Sequence, residues 1–181
     1  MRTTIALDDD LVAKAQAFTG LREKSLLVRE ALKALIERES ALRLARLGGS
    51  EPDLSQPSAA KRSCVILVDS SVWVDHLRGS DPVLVRLLTA GQVLAHPFVI
   101  GELALGSLRQ RETVLGALQG LPQAIVADEG EVLDFIDRHA LAGIGIGYVD
   151  AHLLASARLS VATLWTRDKR LNGAAQRLGL T

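Results

Sequence analysis

Four acidic residues in the second half of the chain occupy positions where catalytic or metal-binding side chains are commonly found. They are Asp69, Glu102, Asp150 and Asp168. Asp69 follows the apolar run at 65 to 68, which is typical of a strand buried in a parallel sheet. Because ligands of open α/β sheets bind beyond the carboxyl ends of the strands, Asp69 is expected at a functional edge. By itself, an Asp followed by two serines is equally typical of a helix cap or turn.

The other three acids also lie near strand ends or helix beginnings. Glu102 falls in the early part of a helix that begins at Pro97. Asp150 lies in the first turn of a later helix, where the helix dipole favours its ionised form. Asp168 follows a strand and begins the last helix. Each acid has an ordinary structural alternative as a cap or a surface charge, but their joint placement predicts four carboxylates on one edge of one sheet.

Converging carboxylates need either protons or a cation. Two like charges about 4 Å apart repel by about 4 kcal/mol at an effective dielectric constant near 20. An oxygen-only ligand set favours Mg²⁺ or Mn²⁺ over zinc. The single cysteine and four histidines of the chain offer no alternative metal-ligand spacing. Such a site activates water and neutralises a phosphodiester, which is the chemistry of a nuclease.

The composition favours a folded protein but names no partner. Apolar residues make up 48% of the 181 residues, enough for a packed core. The 21 basic residues balance 21 acidic ones, so any nucleic-acid surface must be a local patch. A single cysteine, Cys64, excludes an internal disulfide. Without a signal-peptide pattern or an apolar run long enough to cross a bilayer, we expect a cytoplasmic protein with no membrane partner.

From Val65 onward, strands and helices alternate, which predicts a βαβ sheet. After the first strand, further strands are expected at 93 to 95 and 162 to 166. Helices are expected at 82 to 90, from 97, at 111 to 118, 128 to 140 and 149 to 159, and from 168.

The first 47 residues have a different pattern. Residues 2 to 7 alternate in polarity like a short half-buried strand. A helix with Leu11, Val12 and Ala15 facing inward is then expected between an acidic cap at 8 to 10 and Gly20. Ser25 is expected to cap a second helix with apolar residues at helical spacing. Because one strand and two helices cannot close a core, we expect this unit to dimerise through strand pairing.

This pattern resembles the ribbon-helix-helix domain of VapB antitoxins over residues 1 to 50. The resemblance implies an antiparallel ribbon that enters the major groove of operator DNA. By the alternation, Arg2 and Thr4 would face base edges. Backbone amides around Ser25 and Leu26 would hold a phosphate. A helical dimerisation module without a DNA role is the alternative.

Residues 48 to 63 are rich in Gly, Ser, Pro, Gln and Ala, which is typical of a linker or extended arm. In the resembled antitoxins this tail wraps the toxin, and a basic side chain enters its acidic pocket. The candidates are Arg43, Arg46, Lys61 and Arg62, and for each one a solvated surface charge is the alternative.

The four acids and their neighbours resemble PIN-domain ribonucleases, and closely the VapC toxins, over residues 64 to 181. The matching stretches are Val-Asp69-Ser-Ser71, Gly-Glu102-Leu-Ala, Val-Asp150-Ala-His and Trp-Thr166-Arg-Asp168. The resemblance implies an α/β fold with a five-stranded, PIN-like parallel sheet flanked by helices. A small ribbon-helix-helix domain at 1–47 and an extended arm at 48–63 would precede this nuclease domain at 64–181.

The same resemblance implies roles for the matched residues. The catalytic acids Asp69, Glu102, Asp150 and Asp168 would bind one or two Mg²⁺ or Mn²⁺ ions and a water that attacks phosphorus. Ser71 and Thr166 would hydrogen-bond a metal-bound water or ligand without touching the metal themselves.

Together the two resemblances imply a toxin–antitoxin fusion. A Mg²⁺-dependent endoribonuclease would be restrained by its tethered antitoxin, which also binds operator DNA for autoregulation. The tether would hold the inhibitor at about millimolar effective concentration, and residues 48 to 63 are the expected protease cleavage zone. The expected substrate is tRNA or ribosomal RNA, and homo-oligomers would form through both the ribbon and the PIN domain.

Two alternatives remain open at this point. One is a DNA-binding repressor with a catalytically idle PIN-like oligomerisation domain. The other is a metal-dependent DNase or RNA-processing enzyme without an inhibitory role.

Overall fold

The structure is a computed structural model that describes residues 6–48 and 65–181 of the chain. It divides into two compact units, Met1–Ile36 and Glu37–Thr181, each described here by itself. The expected first strand at 2 to 7, with Arg2 and Thr4, lies almost wholly outside the described residues. So do most of the expected arm and its two basic candidates Lys61 and Arg62.

The described part of the first unit consists of α1 (Asp9–Thr19) and the beginning of α2 (Lys24–Leu47). The carboxylate of Asp8 caps α1 by accepting from two backbone amides, and Gly20 ends the helix with a left-handed φ of 72°. The expected inward face of α1 is only partly covered, because Val12 and Ala15 are half-buried while Leu11 is 66% exposed.

The beginning of α2 also differs from the prediction. The helix begins at Lys24, so Ser25 lies inside its first turn and is not the cap. The Ser25 hydroxyl donates to the carboxylate of Glu23, and the Leu27 amide donates to the Glu23 carbonyl. The helix therefore starts two residues earlier than a cap at Ser25 would place it.

The second unit contains the last turns of α2 and an alternating series of strands and helices. In chain order these are β1 (Ile66–Val68), α3 (Ser70–Gly79), α4 (Pro82–Thr89), β2 (Val93–Leu94), α5 (Pro97–Leu105), α6 (Arg111–Gln119), α7 (Glu129–Arg138), α8 (Tyr148–Leu159), β3 (Thr163–Trp165) and α9 (Lys169–Arg177). The sequence indicated only a cap at Asp69, and the ten-residue helix α3 that follows it was not predicted.

The strands form a parallel sheet in the order β2-β1-β3, with Ile66 opposite both Val93 and Thr163. The expected five strands are wrong for the described residues, which form three. On one side Ala95 makes an isolated bridge to Gln123, and on the other the Leu164 amide donates to the Leu180 carbonyl. Neither contact extends into a ladder, since Pro122 lacks an amide proton and Gly179 turns the chain with a φ of 66°.

The main core surrounds this sheet and includes the last turns of α2. Leu67, Trp73 and Leu153 are fully buried, and Leu44 of α2 is fully buried in the same cluster. Among the described residues, no helix is both long and apolar enough to cross a bilayer. The end of α2 is thus an integral part of the second unit.

Candidate active site

Asp69 lies at the carboxyl end of the central strand β1 and is only 6% exposed. Its Oδ2 accepts hydrogen bonds from the Ser71 hydroxyl at 2.5 Å and from the Thr166 hydroxyl at 2.8 Å. The Ser71 amide adds a longer bond at 3.3 Å, through which Asp69 caps α3. Oδ2 is therefore held by side chains from two neighbouring strand ends.

Both hydroxyls have a fixed direction. The Ser71 oxygen accepts from the Arg167 amide at 2.9 Å, and the Thr166 oxygen accepts from the Asp168 amide at 3.0 Å. A hydroxyl that accepts from an amide still has its own proton to donate, and both protons point at Asp69. In this structure both hydroxyls donate to the Asp69 carboxylate itself. The predicted hydrogen bond from Ser71 and Thr166 to a metal-bound water stays a prediction.

Asp150 lies in the first turn of α8, where its Oδ2 accepts from the Gly147 amide at 2.7 Å. Burial raises the pKa of Asp150, and the negative charges of Asp69 and Asp168 raise it further, although the Gly147 bond opposes them. The hydrogen bond from the N-terminus of α8 favours the ionised form of Asp150, as expected, but it does not determine the net direction of the pKa shift. Desolvation and two like charges outweigh it.

Asp168 caps α9 through Oδ1, which accepts from the Arg170 amide at 2.7 Å and the Leu171 amide at 2.9 Å. Its influence on the pKa of Asp150 places it in the same negative region as Asp69. We call Asp69, Asp150 and Asp168 the carboxylate cluster.

Each member of the carboxylate cluster uses one oxygen for structure and leaves the other for a ligand. Within the described ranges, the second oxygens of Asp150 and Asp168 accept no hydrogen bond, and Oδ1 of Asp69 has only a 3.4 Å contact from the Ser70 hydroxyl. Three spare carboxylate oxygens suit a hard divalent cation.

Glu102 lies on the exposed side of α5 and is not among the charges that shift the pKa of Asp150. In residues 6–48 and 65–181, no three Asp, Glu or His side chains come close enough together to form a ready-made metal cage. Like charges resist closer approach until a cation offsets them. The oxygen-only donors and the repulsion at Asp150 fit a divalent ion, and the part played by Glu102 stays a prediction.

The structure describes four of the candidate antitoxin residues, and all four are exposed. Ser25 and Leu26 lie in the exposed first turn of α2. Arg43 and Arg46 lie on the exposed face of the same helix, opposite Leu44, and form no ion pair with a described acid. That a basic residue of α2 blocks the acidic site therefore stays a prediction.

Two residues near the site were missed from the sequence. The sequence pattern gave Arg167 no role at the site, but its guanidinium donates to Asp81 at 2.7 Å. Asp81 itself showed only the cap signal Asp-Pro-Val, which α4 uses. The ion pair between Arg167 and Asp81 joins residues that are 86 positions apart in the sequence, so no local sequence pattern predicts it.

The family of the chain follows from comparison with known proteins. Residues 66–176 match the PIN domain model, and the chain belongs to the PIN domain family. Residues 1–47 match the VapB family, described as the bacterial antitoxin of a type II toxin–antitoxin system. One polypeptide thus joins a VapB antitoxin domain to a PIN domain as a toxin–antitoxin fusion, which confirms both resemblances seen in the sequence.

Two curated relatives from Mycobacterium tuberculosis each match one part of the chain. Ribonuclease VapC32 is 50% identical over 117 residues, covering 64% of this chain and 94% of the relative. Antitoxin VapB32 is 55% identical over 62 residues, covering 34% of this chain and 91% of the relative. No solved structure gives a significant match.

Proposed function

We propose that the PIN domain of this chain is a Mg²⁺-dependent endoribonuclease that the attached antitoxin domain restrains. The observation that carries the nuclease proposal is the carboxylate cluster with its three spare oxygens. The 50% identity to a protein named a ribonuclease favours RNA as the substrate, with tRNA or ribosomal RNA as the expected class. A cytoplasmic location fits such a substrate.

Asp69, Asp150 and Asp168, together with Glu102, would hold one or two Mg²⁺ or Mn²⁺ ions. When bound, such an ion lowers the pKa of a water molecule and offsets the charge of the scissile phosphodiester. Ser71 and Thr166 fix Oδ2 of Asp69, so its Oδ1 is presented to the ligand. A cation would also offset the repulsion that raises the pKa of Asp150.

The proposed restraint rests on the end of α2, which lies within the segment matched to VapB. Leu44 and Leu47 are buried in the core that surrounds the sheet. A Cβ at Gly48 would collide with the His76 ring, so the chain passes His76 at a distance that only glycine permits. A segment packed this closely stays in place while the tether keeps its effective concentration high. Arg43, Arg46, Lys61 and Arg62 stay candidates for the basic group that blocks the site.

The antitoxin domain is proposed to bind operator DNA as a dimer. Leu11, Phe18 and Ile36 are 66%, 91% and 58% exposed in the first unit, and a second copy of this unit would cover such apolar surface. Arg2 and Thr4 would then read bases from the paired ribbon, and the amides of Ser25 and Leu26 would bind phosphate. The PIN domain would form a second homo-oligomer contact.

The nuclease and its restraint are tested together by RNA cleavage before and after limited proteolysis of the full chain. The treated sample is passed through a sizing column so that released antitoxin fragments are removed. We expect slow cleavage of tRNA or ribosomal RNA by the intact chain and faster, EDTA-sensitive cleavage after treatment. Equal Mg²⁺-dependent activity in both samples would overturn the restraint.

Two substitutions separate the nuclease from its alternatives. Asp69→Asn removes a cluster charge and should abolish cleavage, while Asp134→Asn, an exposed acid on α7 paired with Arg138, should leave it unchanged. Unaltered cleavage by Asp69→Asn would overturn the site. Absence of cleavage in every sample, together with retained operator binding, would favour the repressor with an idle PIN domain.

A further inference from the structure

Arg167 joins the carboxylate cluster to a second, buried polar network. Its amide donates to the Ser71 hydroxyl at 2.9 Å, and that hydroxyl donates to Oδ2 of Asp69. The position of the Arg167 backbone therefore decides where the Ser71 hydroxyl lies and how Asp69 is held. Since any residue has an amide, the side chain of Arg167 matters through the way it anchors this backbone.

The guanidinium of Arg167 is anchored mainly on Asp81. Its terminal nitrogen lies 2.7 Å from Oδ2 of Asp81, whose side chain is 10% exposed. A second pair to Asp75 is longer, at 3.4 Å, and its acid is 48% exposed. The Arg167 guanidinium also lies 5.5 Å from the centre of the Trp165 ring. The short, buried, charge-assisted bond to Asp81 is the one that fixes the side chain.

Both the side chain and the backbone amide of Asp81 are fixed by further hydrogen bonds. Its Oδ1 caps α4 by accepting from the Val83 amide at 2.8 Å and the Leu84 amide at 3.2 Å. Its own amide donates to Nδ1 of His76 at 3.1 Å. The partner of Arg167 is thus part of a fixed turn between α3 and α4.

His76 connects this turn to the antitoxin segment. Its ring is fully buried, and burial lowers its pKa, which favours the neutral form. Because Nδ1 accepts from Asp81, the neutral ring carries its proton on Nε2, which donates to the Leu44 carbonyl at 2.9 Å. Leu44 lies in α2, within the segment matched to VapB.

We propose that Arg167 is a positioning residue for Asp69, and that Asp81 and His76 link it to the Leu44 carbonyl, so that the docked end of α2 supports the geometry of the carboxylate cluster. The proposal rests on the metal site of the proposed function. It gives the antitoxin helix a structural effect on the site in addition to any steric block. In the intact chain, a substitution that breaks one link should lower the affinity of the site for a divalent ion while the fold is retained.

The test uses Mn²⁺ alone as the probe, titrated into the full chain and followed by electron paramagnetic resonance of the free ion. Arg167→Met removes the bond to Asp81 and keeps the backbone amide. His76→Asn keeps an acceptor near Nδ1 but is too short to reach Leu44. We expect each variant to raise the Kd for Mn²⁺ about tenfold, the lower end of typical losses from outer-shell changes, with the number of bound ions unchanged.

Asp75→Asn is the matched control, because it removes only the exposed pair of Arg167, and we expect its Kd to stay within twofold of wild type. Each protein is first compared with wild type by circular dichroism. Should Arg167→Met not fold, Arg167→Lys keeps the charge but loses the planar fork, and a several-fold rise in Kd is expected. A Kd within twofold of wild type for His76→Asn, or for the folded Arg167 variant, would overturn the proposal.

The same titration separates this proposal from the metal site on which it rests. Asp69→Asn should abolish Mn²⁺ binding. If wild type and Asp69→Asn bind Mn²⁺ alike, the metal site itself fails. If only Asp69→Asn loses binding, the metal site stands and the link through Arg167 fails.

Discussion

The Thr166 hydroxyl donates a 2.8 Å hydrogen bond to Oδ2 of Asp69 across 97 positions of sequence. This bond joins the end of β3 to the end of β1, which are neighbours in the sheet. Its direction is set by the Asp168 amide, which occupies a lone pair of the same hydroxyl. Strand pairing and the Asp168 amide therefore fix the position of Thr166 beside Asp69.

Removing this hydroxyl tests its importance for the reaction. Thr166→Val keeps the shape of the side chain but leaves Asp69 with one hydroxyl donor fewer. We expect RNA cleavage by the protease-treated protein to fall about 10- to 100-fold, the usual effect of losing an outer-shell partner. Single-turnover rates measure this. Thr166→Ser, which keeps the hydroxyl, should retain most of the activity, and an equal loss in both variants would contradict the role of the bond.

The electrostatic coupling within the carboxylate cluster can be measured without a metal. Because Asp69 raises the pKa of Asp150, Asp69→Asn should lower it, although burial keeps it above the ordinary value of 3.8. Asp168→Asn should also lower the pKa of Asp150. A carbon-13 NMR titration of the Asp150 carboxyl gives the pKa directly. An unchanged pKa in both variants would mean that the three acids do not share one negative region.

The packing of α2 against the second unit makes a prediction about stability. Leu44 is fully buried, so Leu44→Ala should lower the free energy of unfolding by about 2–5 kcal/mol. Arg43→Ala, on the exposed face one residue away, should change it by less than about 0.5 kcal/mol. Urea unfolding followed by circular dichroism measures both. Equal, small effects would show that the end of α2 is not part of the core in solution.

His96 predicts a loss of stability in acid. Burial and, to a smaller extent, the nearby His152 lower the pKa of His96 from 6.5 to about 4. The unfolded chain then binds more protons than the folded chain between these values, so stability falls as the pH drops from 6.5 towards 4, by at most about 1.4 kcal/mol per pH unit. Protonation would also remove Nδ1 as the acceptor for the Phe98 amide that caps α5.

His96→Asn isolates this contribution, because Asn keeps an acceptor for the Phe98 amide and does not titrate. The variant should start less stable at pH 7, since it loses the bond to Ser156, but its stability should decline less steeply with acid. Urea unfolding at several pH values between 7 and 4 measures the slope. Identical slopes would show that His96 does not titrate in this range.

Local signals in the sequence predicted most helices of the second unit correctly. Pro82 and Pro97 occupy first helical turns, and Asp168 is a cap with its side chain bonded to two amides. These signals act over three or four residues, so a sequence displays them directly. The helix α3 was missed because its cap, Asp69, was considered mainly as a functional acid.

Features that depend on distant residues were not predictable in the same way. The pKa of Asp150 depends on burial and on two acids from other elements, and these outweigh the effect of its own helix N-terminus. Five strands were expected, but the chain near Gln123 and Leu180 makes only single contacts with the outer strands and no ladder of hydrogen bonds. The link from Leu44 to Arg167 runs through His76 and Asp81, and in the sequence His76 showed only that it has no metal-ligand spacing.

The central claim is that Asp69, Asp150 and Asp168 hold a divalent ion at the end of β1. A crystal of the full chain soaked in Mn²⁺ tests it directly through the anomalous signal of the metal. The account predicts a peak about 2.1 Å from Oδ1 of Asp69, close to the Mg²⁺–oxygen distance, and bonded to at least one of the other two acids. The map would also decide whether Glu102 joins them. A fully soaked crystal with no peak beside Asp69 would contradict the metal site and the nuclease mechanism built on it.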